Sequence, residues 1–275
     1  MSIAQALAAA AALGLERLDA QLLLLHLLGR PGTERAWLLA HDGDDVSPAD
    51  AAAFQQLCAR RAAGEPLAYL VGHKEFFGLN LKVDSRVLTP RPDTETLVEW
   101  ALELARPMAT PRVIDLGTGS GAIALAIKKA CPGAQVDAVD DSPGALQVAA
   151  ANAQELRLDV AFHLSSWLTG VGGRYDIIVS NPPYVAAGDA HLASLTHEPL
   201  SALAAGPDGL DDIRAIVSQA PASLAAGGWL LLEHGWDQAE AVRALLQAAG
   251  FRQVASRQDL AGIERCSGGQ RLELG

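Results

Sequence analysis

An apolar run over residues 175–179 is followed by a rigid polar tetrapeptide, Asn181-Pro182-Pro183-Tyr184. The run is typical of a buried strand, and the two prolines fix φ and remove backbone donors just beyond its end. We therefore expect the side-chain oxygen of Asn181 and the carbonyl of Pro182 to point at one place. Two converging acceptors bind an –NH2 group, and the ring of Tyr184 offers a face to a planar group.

A second polar segment, Asp115 to Gly121, joins a predicted strand to a predicted helix. Its glycines let a ligand approach the backbone at the carboxyl end of a parallel strand. With Ala122 the run also fits the dinucleotide pattern, in which helix N–H groups hold a pyrophosphate. The carboxylate of Asp115 opposes that charge but suits the ammonium group of S-adenosyl-L-methionine (AdoMet). We therefore predict AdoMet as the cofactor, held by the loop residues Gly117, Thr118, Gly119, Ser120 and Gly121.

Two residues beyond the loop are candidates for the nucleoside part of the cofactor. Asp140 closes the second predicted strand, about 20 residues after the loop, where an acid accepts hydrogen bonds from ribose hydroxyls. Asp141 or Ser142 can cap the helix that follows. Trp167 follows the third strand and is predicted to lie on the adenine face, with a purely structural core position as the alternative.

The two segments together favour methylation of an amide or exocyclic nitrogen. Acceptors aimed at the two hydrogens of such a nitrogen draw density to it and favour a tetrahedral geometry. Catalysis then rests on positioning and on acceptors that bind more strongly as the nitrogen becomes positive. We predict Asn181, Pro182 and Tyr184 as catalytic residues, with Pro183 completing the substrate-binding set and Asn181 also touching the cofactor.

The predicted helices and strands that position these segments divide the chain into three parts. Residues 1–64 show apolar residues at helical spacing and are predicted to form a small helical-bundle domain, with Ser47 and Pro48 opening its last helix. Residues 65–91 form a predicted hairpin linker around Gly78. Residues 92–275 alternate strand and helix, which indicates an α/β, doubly wound parallel sheet. A final strand is predicted in the closing RLELG segment, and Gly268-Gly269-Gln270 is interpreted as a turn.

Composition narrows the class of protein. Half of the 275 residues are apolar, so a sizeable core is possible. The formal net charge of -11 argues against a partner held through nucleic-acid phosphates. The three cysteines show no metal spacing, so no metal is expected, and they fit a reducing cytoplasm. Neither a signal peptide nor a membrane span is expected.

These segments resemble one family closely. The resemblance rests on DLGTGSG paired with SNPPYV, and on LTPRPDTE, GEPLAYLVGHKEFFGL and LLLEHG. They are similar to the bacterial peptide chain release factor glutamine N5-methyltransferases, the PrmC/HemK family. The resemblance spans nearly the whole chain and is weakest over the first 60 or so residues.

The resemblance implies a Rossmann-like class I methyltransferase sheet, AdoMet as methyl donor, and the glutamine of a Gly-Gly-Gln motif as acceptor. Class I release factors would be the partners, met through the N-terminal helices. Arg91 and Glu95 fall in a matching motif, with a structural role or a place near the site. One position departs from the family: Ser166 stands where an acid commonly precedes the tryptophan, so no adenine contact is carried onto it.

Several alternatives stay open. A sister enzyme that methylates a ribosomal-protein glutamine would use the same site. An adenine N6 methyltransferase of nucleic acid shares the NPPY segment, although the net charge weighs against it. An NAD-dependent oxidoreductase and a non-enzymatic AdoMet-binding module are more distant possibilities.

Overall fold

The computed structural model describes residues 1–272, without the side chains of residues 191 and 194. The chain divides into two compact units, Met1–His73 and Lys74–Gly275. Each unit has hydrophobic core clusters of its own. Across residues 1–272, no helix combines the length and the apolar character that crossing a membrane requires.

The N-terminal unit, which is described in full, consists of five helices around a leucine-rich core. They are α1 (Ile3–Ala12), α2 (Arg17–Leu27), α3 (Arg35–Ala40), α4 (Pro48–Ala62) and α5 (Leu67–Val71). Ser47 caps α4 by accepting from the Asp50 N–H, and Pro48 stands in the first turn, as predicted. The unit continues past Gly64 because α5 buries Leu70 in this core.

A hairpin and a helix lead into the large sheet. The hairpin strands are β1 (His73–Phe76) and β2 (Leu79–Lys82), as the sequence predicts. Gly78 in the turn has φ 74°, a left-handed conformation that favours glycine. A 3₁₀ turn over Pro92–Thr94 then runs directly into α6 (Glu95–Ala105).

The predicted α/β class and doubly wound sheet are confirmed. The sheet strands are β3 (Arg112–Leu116), β4 (Gln135–Asp140), β5 (Ala161–Leu164), β6 (Tyr175–Ser180), β7 (Leu224–Glu233), β8 (Arg252–Gln258) and β9 (Glu264–Gln270). The helices between them are α7 (Ala122–Ala130), α8 (Pro143–Leu156), α9 (Asp211–Ser223) and α10 (Ala239–Ala248). In the described chain the order is β5-β4-β3-β6-β7-β9-β8, and β9 runs antiparallel to both of its neighbours.

Strand β3 shows how the sheet is covered and where it opens. Val113 packs in a core with residues of α6 and α7, whereas Ile114 packs on the other face with residues of α9 and α10. Because β4 and β6 flank β3, the strand order reverses there, and such a switch point creates a crevice at the carboxyl ends. The β3–β6 register pairs Leu116 with Ser180, so the glycine loop and Asn181 leave the sheet side by side.

The C-terminal strands differ from the sequence prediction. The last described strand is β9, not the RLELG segment, of which residues 273–275 lie outside the described residues. The predicted turn at Gly268 and Gly269 is wrong, because both lie in β9 opposite β7. A Cβ on Gly268 would lie 2.6 Å from the Leu231 side chain, so close packing of the strand explains this glycine.

One buried side chain fastens α8 to the hairpin and to the glycine loop. Asn152 accepts the Lys82 N–H at 2.7 Å and donates to the Lys82 carbonyl at 3.0 Å. It also donates to the Ser120 carbonyl at 2.9 Å. Three backbone groups, from two residues that are far apart in the sequence, thus depend on one amide.

Asn152→Ala should lower the free energy of unfolding by about 2–4 kcal/mol, because it leaves the buried Ser120 carbonyl and the part-buried backbone groups of Lys82 without these partners. Urea denaturation measures this change. Gln154→Ala, on the exposed side of the same helix, is the matched control and should stay within about 0.5 kcal/mol of wild type. Equal effects of the two substitutions would show that the Asn152 contacts do not stabilise the fold.

Candidate active site

A cleft of about 260 Å³ lies at the carboxyl ends of β3, β4 and β6. Its lining includes residues 86–91, 117–120, 140–142 and 165–167, and Asn181, Pro183 and Asp212. All of the predicted cofactor-binding residues except Gly121 line this cleft. The structure therefore brings together three segments that the sequence predicted separately.

The three loop glycines serve different purposes. Gly117, Gly119 and Gly121 all have positive φ, at 69°, 56° and 83°. A Cβ on Gly119 would meet open space, whereas one on Gly121 would lie 3.0 Å from Leu125 and 3.2 Å from Ala149. Gly119 thus keeps the backbone open to a ligand, and Gly121 lets α7 and α8 pack closely.

The side chain of Asp115, in β3, forms hydrogen bonds that stabilise the glycine loop. Its buried carboxylate accepts from the Thr118 hydroxyl at 2.6 Å and from the Ala124 N–H at 3.2 Å. Burial raises its pKa to about 7, while these two hydrogen bonds oppose the shift. Its second oxygen, Oδ1, is buried without a hydrogen-bond partner in the described chain. Asp115 does not belong to the cleft lining, so its main observed contacts are with the loop itself.

Asp140 is fixed by the backbone on both sides. It accepts from the Gly119 N–H at 2.8 Å and from the Ser142 N–H at 2.9 Å. Burial raises its pKa, and the hydrogen bonds from Ser142 and Gly119 oppose that rise. The cap of α8 is Ser142, which accepts from Ala145, so Asp140 remains as an acceptor on the cleft wall.

The loop N–H groups discriminate between the two cofactor classes. The Thr118 N–H donates to Val139, the Gly119 N–H to Asp140, and the Gly121 N–H to Thr118. A pyrophosphate needs free N–H groups at this turn, and these three donors are already bonded within the protein. The open face at Gly119 and the acceptors along the wall fit an uncharged ribose and a cationic amino acid moiety instead.

Trp167 packs over the start of the loop. Its ring lies 3.2 Å from the position that a Cβ on Gly117 would take, so this glycine also makes room for the indole. Trp167 has φ 50°, and its indole is close enough to the Asp212 carboxylate, in the first turn of α9, to oppose the rise that burial causes in the pKa of Asp212. Ser166 is exposed at the cleft. Sequence analysis missed Asp212, which the local sequence shows only as an acid at a helix start.

The tetrapeptide is divided between the cleft and the interior. The Asn181 side chain donates through Nδ2 to the Thr94 hydroxyl at 3.2 Å. Asn181 and Pro183 line the cleft, whereas Pro182 is buried and lies outside the lining. The Tyr184 hydroxyl donates to Glu233 at 3.4 Å, and burial raises the pKa of Tyr184 above its ordinary value. The roles of Pro182 and Tyr184 toward a substrate stay predictions.

The segment before α6 is tied to the loop that follows the tetrapeptide. Arg91 forms an ion pair of 2.5 Å with the buried carboxylate of Glu198, which also accepts from the Thr89 N–H at 3.0 Å. Arg91 lines the cleft. Glu95 instead accepts from the Phe77 N–H at 3.1 Å and so supports the hairpin. Sequence analysis missed Glu198 because nothing in its local sequence indicates a distant partner.

Comparison with known proteins supplies the family. The chain matches the Methyltransferase small domain family over residues 94–206 and the PrmC N-terminal domain family over residues 2–72. It is 55% identical over 260 residues to the release factor glutamine methyltransferase of Bordetella pertussis, covering 93% of this chain and 95% of that protein. The chain belongs to the release factor glutamine methyltransferase family. The predicted family, the protein methyltransferase class and the class I methyltransferase fold are thereby confirmed.

Solved structures of more distant enzymes share the fold. The hMettl16 catalytic domain in complex with a MAT2A 3′UTR hairpin has a TM-score of 0.58 at 16% identity and covers 83% of this chain and 84% of its own. A T. thermophilus 16S rRNA N2 G1207 methyltransferase in complex with AdoMet and guanosine has a TM-score of 0.55 at 21% identity, covering 72% and 49%. At these identities the likeness concerns the fold alone.

Asp212→Ala should weaken AdoMet binding about tenfold, because the Trp167 indole, which lies over Gly117, loses its polar neighbour at the cleft. Titration calorimetry measures the affinity. Asp212→Asn keeps an acceptor of the same shape and should stay within about threefold of wild type. If both variants weaken binding equally, the negative charge of Asp212 and not its contact with Trp167 is what matters.

Proposed function

We propose that this protein transfers a methyl group from AdoMet to the side-chain amide nitrogen, N5, of the glutamine in the Gly-Gly-Gln motif of class I release factors. The observation that carries the proposal is the position of Asn181. It stands beside the glycine loop in one cleft, with its Nδ2 bonded to Thr94 and its oxygen unbonded within the described residues. Membership of the release factor glutamine methyltransferase family supplies the substrate class.

The cleft residues suit AdoMet. Asp140 presents a carboxylate anchored by two backbone N–H groups, which suits ribose hydroxyls. Trp167 presents an indole at the same wall, and Gly119 leaves its backbone accessible. When bound there, AdoMet supplies a methyl group activated by the adjacent sulfonium.

Substrate residues would be held by Asn181 through Tyr184. The Asn181 oxygen and the Pro182 carbonyl accept the two hydrogens of the glutamine amide and orient its nitrogen lone pair. Pro183 and Tyr184 limit the space in which the planar amide can turn. The acceptors bind more strongly as the nitrogen gains positive charge, which lowers the barrier without a covalent intermediate on the protein. The methylated nitrogen is acidic enough to release its proton to water afterwards.

The domain roles follow from the same proposal. Residues 1–64 dock the release factor, residues 65–91 form the linker with its hairpin, and residues 92–275 hold AdoMet and the catalytic residues. The match of residues 2–72 to the PrmC N-terminal domain supports a dedicated role for the helical unit. We place the reaction in the cytoplasm, where release factors act.

Three substrate classes can be compared in one experiment. The protein is incubated with AdoMet and a purified class I release factor, a large-subunit ribosomal protein, or an adenine-containing duplex. Mass spectrometry then maps any added methyl group. We expect one methyl on the Gly-Gly-Gln glutamine and none on a substrate variant with alanine at that position. Methylation of the ribosomal protein or of adenine alone would overturn the proposal.

Asn181→Ala should abolish turnover and leave AdoMet affinity within about tenfold of wild type, because it removes an amide acceptor but little cofactor surface. Steady-state methyl transfer and calorimetry provide the two measurements. Turnover close to that of wild type would contradict the role of Asn181.

Asp140→Ala should act on the cofactor instead. We expect the AdoMet affinity to fall by at least about tenfold, because ribose loses a charged acceptor and the Gly119 N–H loses its partner. Saturating AdoMet should recover much of the turnover. Loss of turnover with unchanged AdoMet affinity would be inconsistent with a ribose-binding role.

A further inference from the structure

Charged side chains of both signs line the cleft. The acids are Asp140, Asp141 and Asp212, and the cationic side chains among the described lining residues are Arg86 and Arg91. AdoMet also carries both signs, because its sulfonium and ammonium groups are cationic and its α-carboxylate is anionic. The acids cannot bind that carboxylate, which loses water on entering a cleft and needs a donor of its own. The two arginines are therefore the charged candidates for this group.

Arg86 is already bonded at each of its side-chain nitrogens. Its Nε and Nη2 donate to the carboxylate of Asp84 at 2.9 and 2.6 Å, and its Nη1 donates to Gln147 at 3.1 Å. The side chain also packs against the start of α8, where its Cδ lies 3.3 Å from the position of a Cβ on Gly144. The contacts of Arg86 thus stabilise the segment before α6 against α8.

Arg91 keeps donors that no protein group uses. Its Nη2 donates to Glu198 at 2.5 Å, whereas Nε and Nη1 have no hydrogen-bond partner among residues 1–272. The side chain is 43% exposed and lines the cleft. A guanidinium group presents five N–H donors in a planar fork. One edge of the fork can therefore hold Glu198 while another binds a second carboxylate.

Arg91 lies on the Asn181 side of the cleft. The Arg91 carbonyl accepts from the Thr94 N–H at 3.2 Å, and the Thr94 hydroxyl accepts from Asn181 Nδ2 at 3.2 Å. Asn181 follows β6, whereas Asp140 and Trp167 follow β4 and β5 on the other side of β3. The acceptor for ribose and the free donors of Arg91 thus belong to different sides of the same cleft.

We propose that Arg91 binds the α-carboxylate of AdoMet, an inference that rests on the proposed function only through its cofactor. The adenosine part lies along Asp140 and Trp167, and the methionyl chain runs from the sulfur to Arg91. Contacts at both ends fix the sulfur between them. Arg91 thereby helps to direct the methyl group toward the side of the cleft that carries Asn181.

Glu198 holds the Arg91 guanidinium in place for this contact. Its side chain is 2% exposed, and it also accepts from the Thr89 N–H at 3.0 Å. Because Arg91 is already fixed on one edge, it loses less rotamer freedom when a ligand binds. The charges also balance, since the Glu198–Arg91 pair and the ammonium–carboxylate end of AdoMet are each neutral.

Decarboxylated AdoMet tests the contact because it lacks only the α-carboxylate. Titration calorimetry compares both ligands on wild type and on Arg91→Met. We expect the affinity for AdoMet to fall about 10- to 30-fold in the variant, and the affinity for decarboxylated AdoMet to change less than about threefold. The ratio of the two affinities should therefore fall about tenfold. A purely structural role of Arg91 would weaken both ligands equally and leave the ratio unchanged.

Two further variants control for indirect effects. Arg86→Met removes the other arginine of the cleft and should leave the ratio within about threefold of wild type, because the nitrogens of Arg86 are bonded within the protein. Arg91→Met leaves the buried Glu198 without its ion-pair partner, which costs stability. The double variant Arg91→Met/Glu198→Gln removes that unpaired charge and should show the same tenfold fall. It also supplies the measurement if circular dichroism shows that Arg91→Met does not fold.

The outcomes separate the two proposals. If wild type does not bind AdoMet, the proposed function fails before the variants are compared. If wild type binds AdoMet and the ratio is unchanged in Arg91→Met, the carboxylate contact is overturned and the proposed function stands. Return of the wild-type ratio in the double variant overturns the contact as well, because the loss in Arg91→Met then came from the unpaired Glu198.

Discussion

The parallel pairing of β3 with β6 is the constraint on which the site depends. The register pairs Val113 with Ile177 near the start of the strands and Leu116 with Ser180 at their ends. The two strands therefore end side by side at the same edge of the sheet. The Ser180 hydroxyl donates to the Leu116 carbonyl at 2.7 Å. This hydrogen bond joins β6 to β3 at the point where the two loops begin. The glycine loop and the Asn181 tetrapeptide therefore start from fixed points.

Two buried carboxylates, Asp115 and Glu198, and the half-buried Asp140 organise the loops that leave this edge. Asp115 accepts from the Thr118 hydroxyl in the glycine loop, and Asp140 accepts from the Gly119 N–H. Glu198 binds both the Arg91 side chain and the Thr89 N–H. Each accepts from groups in a segment other than its own strand or loop. Because an unpaired buried carboxylate is costly, these acids favour one arrangement of the loops over others. The shape of the cleft therefore depends on contacts within the protein itself.

Asp140 also affects which class of cofactor the cleft can bind. By accepting the Gly119 N–H, Asp140 removes a donor that a pyrophosphate would need, and presents an acceptor that a ribose can use. The glycine pattern alone fits both cofactor classes. The contact between loop and strand end distinguishes them, and it agrees with a methyltransferase family and not with an oxidoreductase.

The sequence by itself determined the order of elements, the glycine loop, the strand-end acid and the tetrapeptide. These are local features, since periodicity, proline and glycine act on neighbouring residues. The prediction from sequence was wrong at the C-terminal edge of the sheet, where Gly268 and Gly269 lie in a strand and not in a turn. Both positions are glycine because β7 and Phe251 leave no room for side chains there. Only the tertiary structure decided the direction of the Asn181 amide, the contact of Asp212 with Trp167 and the pairing of Glu198 with Arg91. The physical reason is that each joins positions far apart in the chain, and the local sequence around a donor does not specify a distant acceptor.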